Sequence, residues 1–495
     1  MGVDPLGSES RHRLWSRLLV EPARPACIRT WPNAHWLVVG TVCVGAVMGQ
    51  LDASIVSLAL PTLQEAFHAS LDQVEWVALA YLLVLAATVV AVGRLADMVG
   101  RKLLYIYGFV VFTVASVACG LAPNLPTLDV FRAVQALGAA MLQANSVALI
   151  VTALPPGKLG RGIGVQGAAQ AVGLALGPTV GGALIGIGGW RLIFLVNVPA
   201  GLIGILLGWF LLPRSRGLAP RVRFDWTGLA LFAPAIGALL AALSLGSRGS
   251  FTSPAALGLA TTAVGCSVAF VRWERRATAP MIDFELFRRM PFAAGIASGL
   301  LSYLVLFGVL FITPFFIESV LHASPTRTGL ELAVLPVALG ASALSTGRLS
   351  DRLGARIPTV VGMTLTAVGL ALAALVHTGT VVLLSELAVV GVGLGAFTPA
   401  NNAAIMASAA RHQAGVAGGV LNMTRGVGTA LGVAVSGLVF GLVAGHRSGL
   451  GPAGSTGRGF SAALLVLVGL SMGAALIAAL PSRARPRQRA MARVA

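Results

Sequence analysis

Four ionisable side chains sit inside long apolar runs of this 495-residue sequence: Asp52, Arg132, Glu386 and Arg425. A charge held among lipid tails is costly, so such residues normally face a cavity or a partner and mark ion or substrate paths. Asp52, in "LDASIVSLALP" (51–61), suits reversible protonation or attraction of a cationic substrate; the alternative is a structural ion or hydrogen-bond pair. Arg132 keeps its charge at any working pH, so it cannot carry the proton, but it can steer a carboxylate or exchange partners. Gln135 follows one turn later. The alternative for Arg132 is an anchor to Asp129, three residues back on the same helical face. Glu386 belongs to no motif and reads either as a protonation or substrate contact or as a packed neutral group. Glu331 is placed to meet substrate from the outer side, while Asp129 and Glu318 stand closer to that edge. Five of the seven histidines (His35, His68, His322, His377, His446) fall in loops or at edges, and no metal cluster is indicated.

The elements that must hold these groups follow from composition. The hydrophobic fraction is 56%, the charged fraction 11% and the mean hydropathy +0.87. A soluble chain carries roughly a quarter charged residues, so this is an all-α membrane protein. Fourteen runs are long enough to span: about 34–58, 74–93, 103–121, 127–151, 163–187, 191–212, 225–245, 254–272, 291–317, 327–346, 356–376, 379–402, 416–443 and 459–480. Helices are expected because lipid requires every backbone group to be satisfied within its own segment.

The net charge of +18 is distributed by side. Only Arg191, Arg248, Arg327, Arg447 and Arg458 fall in the odd-to-even loops, and Arg132 and Arg425 fall within spans; the rest of the 35 Lys and Arg lie in the tails and even-to-odd loops. That asymmetry places both termini in the cytoplasm of a multi-pass protein of the cell (inner or plasma) membrane. Nucleic acid is not an expected partner, because the basic tails lack interleaved aromatics and any reading module. They are topology anchors beside anionic lipid. Residues 1–30 hold no cleavable signal. The four scattered cysteines form no C-x-x-C pair and support neither a disulfide framework nor zinc. H-E-x-x-H, G-x-S-x-G and the P-loop are absent, so the sequence offers no enzyme or cofactor signature.

The chain repeats itself. "GRLADMVGRK" (93–102) returns as "GRLSDRLGAR" (347–356), 254 residues on, sharing the pattern G-R-L-x-D-x-x-G. "QAVGLALGPTVGG" from Gln170 returns as "RGVGTALGVAVSG" from Arg425, at an offset of 255. Ala144–Asn145 and Ala400–Asn401 echo each other at 256. A constant offset implies two parallel six-helix halves, a transporter architecture that puts substrate near the midplane between them. The domains expected are a tail at 1–33, a bundle at 34–212, a linker with an inserted helix pair at 213–290, a second bundle at 291–480 and a basic tail at 481–495.

Within the repeat, Gly93 and Gly100 permit a tight turn and close helix approach. Asp97 stands where a helix N-terminus favours an anion, and Arg101 begins the next span. Asp351 and Arg352 are the weaker second-half counterpart. Plain topology charges would not need that glycine spacing. Gly173, Gly177 and Gly181, joined by Gly182, share one helical face that allows close packing, and Pro178 can bend the helix. Such a face suits halves that rock against each other.

These motifs resemble the major facilitator superfamily, and within it the fourteen-span drug:proton antiporter branch, over residues 36 to 480. The stretch at 51–61 is similar to that branch's span 1 signature and "GRLADMVGRK" to the superfamily's loop 2–3 signature. "FRAVQALGAA" (131–140) resembles the span 4 signature, with Ala136 in place of a usual glycine. "GLALGPTVGG" (173–182) resembles the antiporter signature. "WRLIFLVNVPAG" (190–201) and "FDWTG" (224–228) resemble features around spans 6 and 7. The resemblance implies that Asp97 and Arg101 latch the halves at the cytoplasmic face, that Arg132 takes part in proton transfer, and that span 5 tilts coupling toward antiport. The expected function is export of hydrophobic drugs or antibiotics, cationic ones included, in exchange for protons. Its rivals are a symporter or uniporter for a small solute and a non-transporting receptor or scaffold on the same fold.

Overall fold

The computed structural model describes residues 21, 23–155, 157–215, 224–248, 252–375, 379–444 and 452–480. Most of the N-terminal tail, linker residues 216–223, His377, His446 and the C-terminal basic tail lie outside the described residues. Helices make up nearly all of the rest. The long ones, in chain order, are α1 (Ala34–Phe67), α2 (Trp76–Val99), α3 (Arg101–Gly120), α4 (Leu125–Ala153), α5 (Leu159–Gly188), α6 (Asn197–Leu211) and α7 (Trp226–Arg248). There follow α8 (Pro254–Glu274), α9 (Met290–Ser319), α10 (Val334–Leu353), α11 (Arg356–Leu375), α12 (Thr380–Ser408), α13 (Ala414–Ala444) and α14 (Pro452–Ala479). Thirteen spans among the described residues are long and apolar enough to cross a bilayer directly, and α5 makes the fourteenth when its two bent segments are counted as one. The bend is 44°, between Leu159–Gly177 and Thr179–Gly188, with Pro178 at the break.

Local chemistry sets the helix ends. Asn124 Oδ1 accepts from the Thr127 N–H at 3.0 Å and so caps α4, with Pro126 in the first turn. Ser253 does the same for α8 ahead of Pro254. Such caps satisfy amides that the helix leaves without partners. α2 turns into α3 at Gly100 (φ +131°), and α10 turns into α11 at Gly354 (φ +77°). These are equivalent glycines of the repeat, and the left-handed backbone at each explains why the residue recurs.

Each half packs its first helix on its fifth and its third on its fourth: α1 on α5 and α3 on α4, α9 on α13 and α11 on α12. The halves meet along α2–α13 and α5–α10. The inserted pair α7–α8 packs together, with α7 leaning on α2 and α13. One apolar core runs through the first half and on into Phe292, Ile405 and the start of α13; a second lies within the other half.

Candidate functional site

Three groups of residues emerge, one inside the first half and two between the halves. The first surrounds Asp52 of α1, whose side chain is wholly buried. Arg132 Nη1 on α4 donates to Asp52 Oδ2 at 2.7 Å. Gln135 Nε2 and Asn197 Nδ2, from α4 and α6, both donate to Oδ1, at 3.0 and 2.9 Å. Gln135 Nε2 also reaches Ser116 Oγ of α3 at 2.8 Å, and its Oε1 accepts from Arg132 at 2.5 Å. Arg132 Nε donates to the Val77 carbonyl at 3.1 Å, and its guanidinium lies 4.3 Å over the Tyr81 ring of α2. Five helices thus enclose one neutralised charge pair. Burial makes the pair tolerable only because the remaining donors and acceptors are also engaged. Two atoms of the shell stay without partners, Tyr81 Oη and Asn197 Oδ1.

This corrects the anchor suggested for Arg132. It pairs with Asp52 across the bundle, while Asp129 Oδ1 has no partner. Asn197, Ser116 and Tyr81 were not legible as site residues, since each lies on a different helix with no motif tying it to Asp52.

The second group is the pair of corners where the repeated stretch lies. Asp97, at the end of α2, is buried. Its Oδ1 accepts from Arg101 Nε and Nη2, at 2.9 and 2.6 Å, and from the Gly415 N–H at 2.8 Å. Its Oδ2 accepts from the Val416 N–H at 3.0 Å. Arg101 Nη2 also donates to the Arg411 carbonyl. The helix N-terminus that Asp97 serves is therefore that of α13 in the other half, rather than that of the following span. A Cβ on Gly93 would lie 2.3 Å from the Gly415 carbonyl oxygen, so only glycine permits the crossing. The opposite corner repeats the plan. Asp351 Oδ1 accepts from Gly160 N–H at 2.7 Å and Oδ2 from Arg161 N–H at 3.0 Å, which caps α5. A Cβ on Gly347 would come within 2.5 Å of the Gly160 oxygen. Arg352 is exposed; by register the counterpart of Arg101 is Ala355, so the second corner lacks the arginine.

The antiporter-type glycines take a different place from the one expected. Gly173 meets Val47 of α1 and Gly177 meets Ser54 of α1, so this face packs within its own half. Gly181 is buried and Gly182 exposed. Close approach to the other half comes earlier on α5, at Gly160 and Gly164, against Gly347 and Ala343.

The third group is a narrow cleft between α5 and α13, lined among others by Gln166, Gln170, Tyr303, Asn402, Asn422 and Arg425. A second small cavity, including Gln50, Gln143 and Ser146, adjoins it through Gln166 and Gln170. Arg425 lies 5.0 Å over the Tyr303 ring. Glu386 is buried near the start of α12, with Oε2 unpartnered. Glu331 pairs with Arg327 at 2.6 Å, beside the start of α12 through Thr380, and is not part of the cleft lining.

Among the described residues, twelve long helices in two repeated halves, with an inserted pair and a polar cleft between the halves, have the architecture of a membrane transporter. The family model of the Major Facilitator Superfamily matches residues 42–433, and the chain belongs to that superfamily. Over about 400 residues it is 36% identical to the multidrug resistance protein Stp of Mycobacterium tuberculosis, covering 80% of this chain and 74% of that one. It is 34% identical to the riboflavin transporter RibZ of Clostridioides difficile (81% and 87% covered). It is 32% identical to the tetracenomycin C resistance and export protein of Streptomyces glaucescens (83% and 76% covered). The fold is similar to that of the human organic anion transporter MFSD10, with a TM-score of 0.66 at 15% identity over 91% of this chain and all of that one.

Proposed function

We propose that the protein exports hydrophobic drugs or antibiotics from the cytoplasm in exchange for protons, across the cell membrane, with both termini cytoplasmic. The observation that carries the coupling is the enclosed Asp52–Arg132 pair at 2.7 Å. The export reading is supported by the similarity to multidrug and tetracenomycin C resistance proteins and by the span 5 motif. The positive-inside asymmetry supports the orientation.

The mechanism follows from the pair. While Asp52 is charged, Arg132, Gln135 and Asn197 bind α1, α4 and α6 together. Protonation removes the ionic attraction and one acceptor site, so the same helices are free to shift. Arg132 stays charged and needs other acceptors; the Val77 carbonyl, Gln135 Oε1 and the Tyr81 face are already beside it. Asn197 Oδ1 and Tyr81 Oη, both unpartnered, offer a relay for a proton or a water. Substrate then favours the state that has released the proton, and the proton favours the state that has released substrate, as linkage requires. The two corner latches hold the basic face shut in one of these states.

A second reading, a facilitator or symporter of a polar nutrient, is favoured by the relative named for riboflavin transport. Inside-out vesicles separate the two. After energisation acidifies the lumen, added substrate should release protons from wild type and not from Asp52→Asn. Substrate-driven movement of protons in the same direction as substrate would support the symport reading.

A further inference from the structure

The cleft between the halves carries a charge pattern that bears on what is exported; this inference rests on the exporter reading for direction only. α5 and α13 wall the cleft from equivalent places. Gln170 and Arg425 are partners in the repeat at an offset of 255, and Gly167 and Asn422 are likewise. One wall thus presents a neutral amide where the other presents a cation.

No residue lining this cleft or its adjoining cavity is Asp or Glu. The buried carboxylate that suggested cationic substrates is turned into the first half, where three donors occupy it. Among the described residues Arg425 forms no ion pair. It stands eleven residues into α13, about 16 Å from the latched end at 1.5 Å per residue, roughly half of a hydrocarbon core about 30 Å thick. A ring face steadies a guanidinium without neutralising it. A cation left unneutralised at that depth normally serves a ligand.

We propose that the exported compound is an organic anion, an apolar or aromatic molecule bearing a carboxylate, phenolate or enolate oxygen, and that Arg425 is its charge contact. Asn422, Asn402 and Gln170 supply neutral hydrogen bonds around it. The cleft holds about 10 Å³ in this conformation, room for about one water, so substrate binds in a wider state bounded by the same walls. Under an inside-negative potential an anion leaving and a proton entering both move downhill electrically, so the two fluxes reinforce each other.

The test compares fluorescein with rhodamine 6G, which share a xanthene ring and carry opposite charge. Binding to the purified full-length protein is followed by fluorescence anisotropy, and transport in inside-out vesicles. Wild type should bind fluorescein about tenfold more tightly than rhodamine 6G, and Arg425→Gln should erase that preference, as expected for a charge-assisted contact. Arg425→Lys should keep most of it, and Gln170→Lys, which adds a second cation, should strengthen fluorescein binding. Tighter binding of rhodamine 6G by wild type, no fluorescein binding at millimolar dye, or a preference unchanged in Arg425→Gln would each overturn the proposal. Should Arg425→Gln fail to fold, the Gln170→Lys result decides: no gain in fluorescein affinity counts against it. Arg425-dependent fluorescein binding without substrate-driven proton release would leave this inference standing and remove the exporter reading. Proton-coupled export of rhodamine 6G, indifferent to Arg425, would do the reverse.

Discussion

The two corners built from one repeated stretch are made alike and loaded differently. At each, a carboxylate caps the fifth helix of the opposite half, and a glycine lets two backbones touch. Asp97, however, is buried and shares its oxygens between two amides and the Arg101 guanidinium, which itself reaches the Arg411 carbonyl. Asp351 is half-buried and has only the two amides of Gly160 and Arg161. Duplication supplied the geometry twice, and the arginine at 101, absent at 355, made one corner the stronger. A repeated motif is therefore evidence of repeated geometry, while the strength of each copy depends on residues outside the shared letters.

The corners can be pulled apart by substitution. Asp97→Ala should have the largest effect, because it also strands the buried Arg101; losing one partner of a buried pair costs about 3–5 kcal/mol. It should open the basic face, seen as labelling of a cysteine placed at Ala153, and abolish uphill transport. Gly415→Ala ranks next. Its new methyl would meet the Gly93 oxygen at 2.3 Å and Asp97 Oδ1 at 2.7 Å, and overpacking of this kind costs about 1–3 kcal/mol. Melting temperature and cysteine labelling should both move. Asp351→Ala removes only a helix cap, worth about 1 kcal/mol; transport should fall several-fold at most and labelling change slightly. Arg352→Ala, on an exposed side chain, should leave both readouts alone. Equal effects for Asp97→Ala and Asp351→Ala would break the comparison. Installing the missing charge as Ala355→Arg sharpens it, because an arginine there should pair with Asp351 and lower labelling.

Much of the fold is legible in the sequence. Long apolar runs located all fourteen spans, since lipid leaves a helix no other solution. The constant offset implied paired halves, and helix contacts recur at equivalent places, α1 on α5 as α9 on α13. The candidate residues that the structure brings into polar clusters are ones where chemistry and motif coincide, as at Asp52, Arg132 and Asp97. Asn197 was not singled out, although it lies in the 190–201 stretch that resembles a branch feature, because nothing in those letters ties it to Asp52; only three-dimensional packing brings the two together. For Asp97 the letters indicated a helix N-terminus without saying which one, and only the resemblance pointed to the other half; the helix that supplies the free amides is more than 300 residues away. The glycine face of span 5 was readable as a packing face, but the letters do not say which neighbour it meets. Arg425 and Gln170 opened the very segments that revealed the repeat, yet their meeting across a cleft required the fold.

Asp52 is proposed to couple the proton to the substrate. Uphill export and substrate-for-substrate exchange in proteoliposomes, measured side by side for wild type and Asp52→Asn, test it most directly. Exchange needs the cleft and the latches but no net proton movement. Asp52→Asn should keep exchange and lose accumulation driven by a pH gradient. Accumulation that persists in Asp52→Asn at the wild-type level would contradict it and move the proton to another carboxylate.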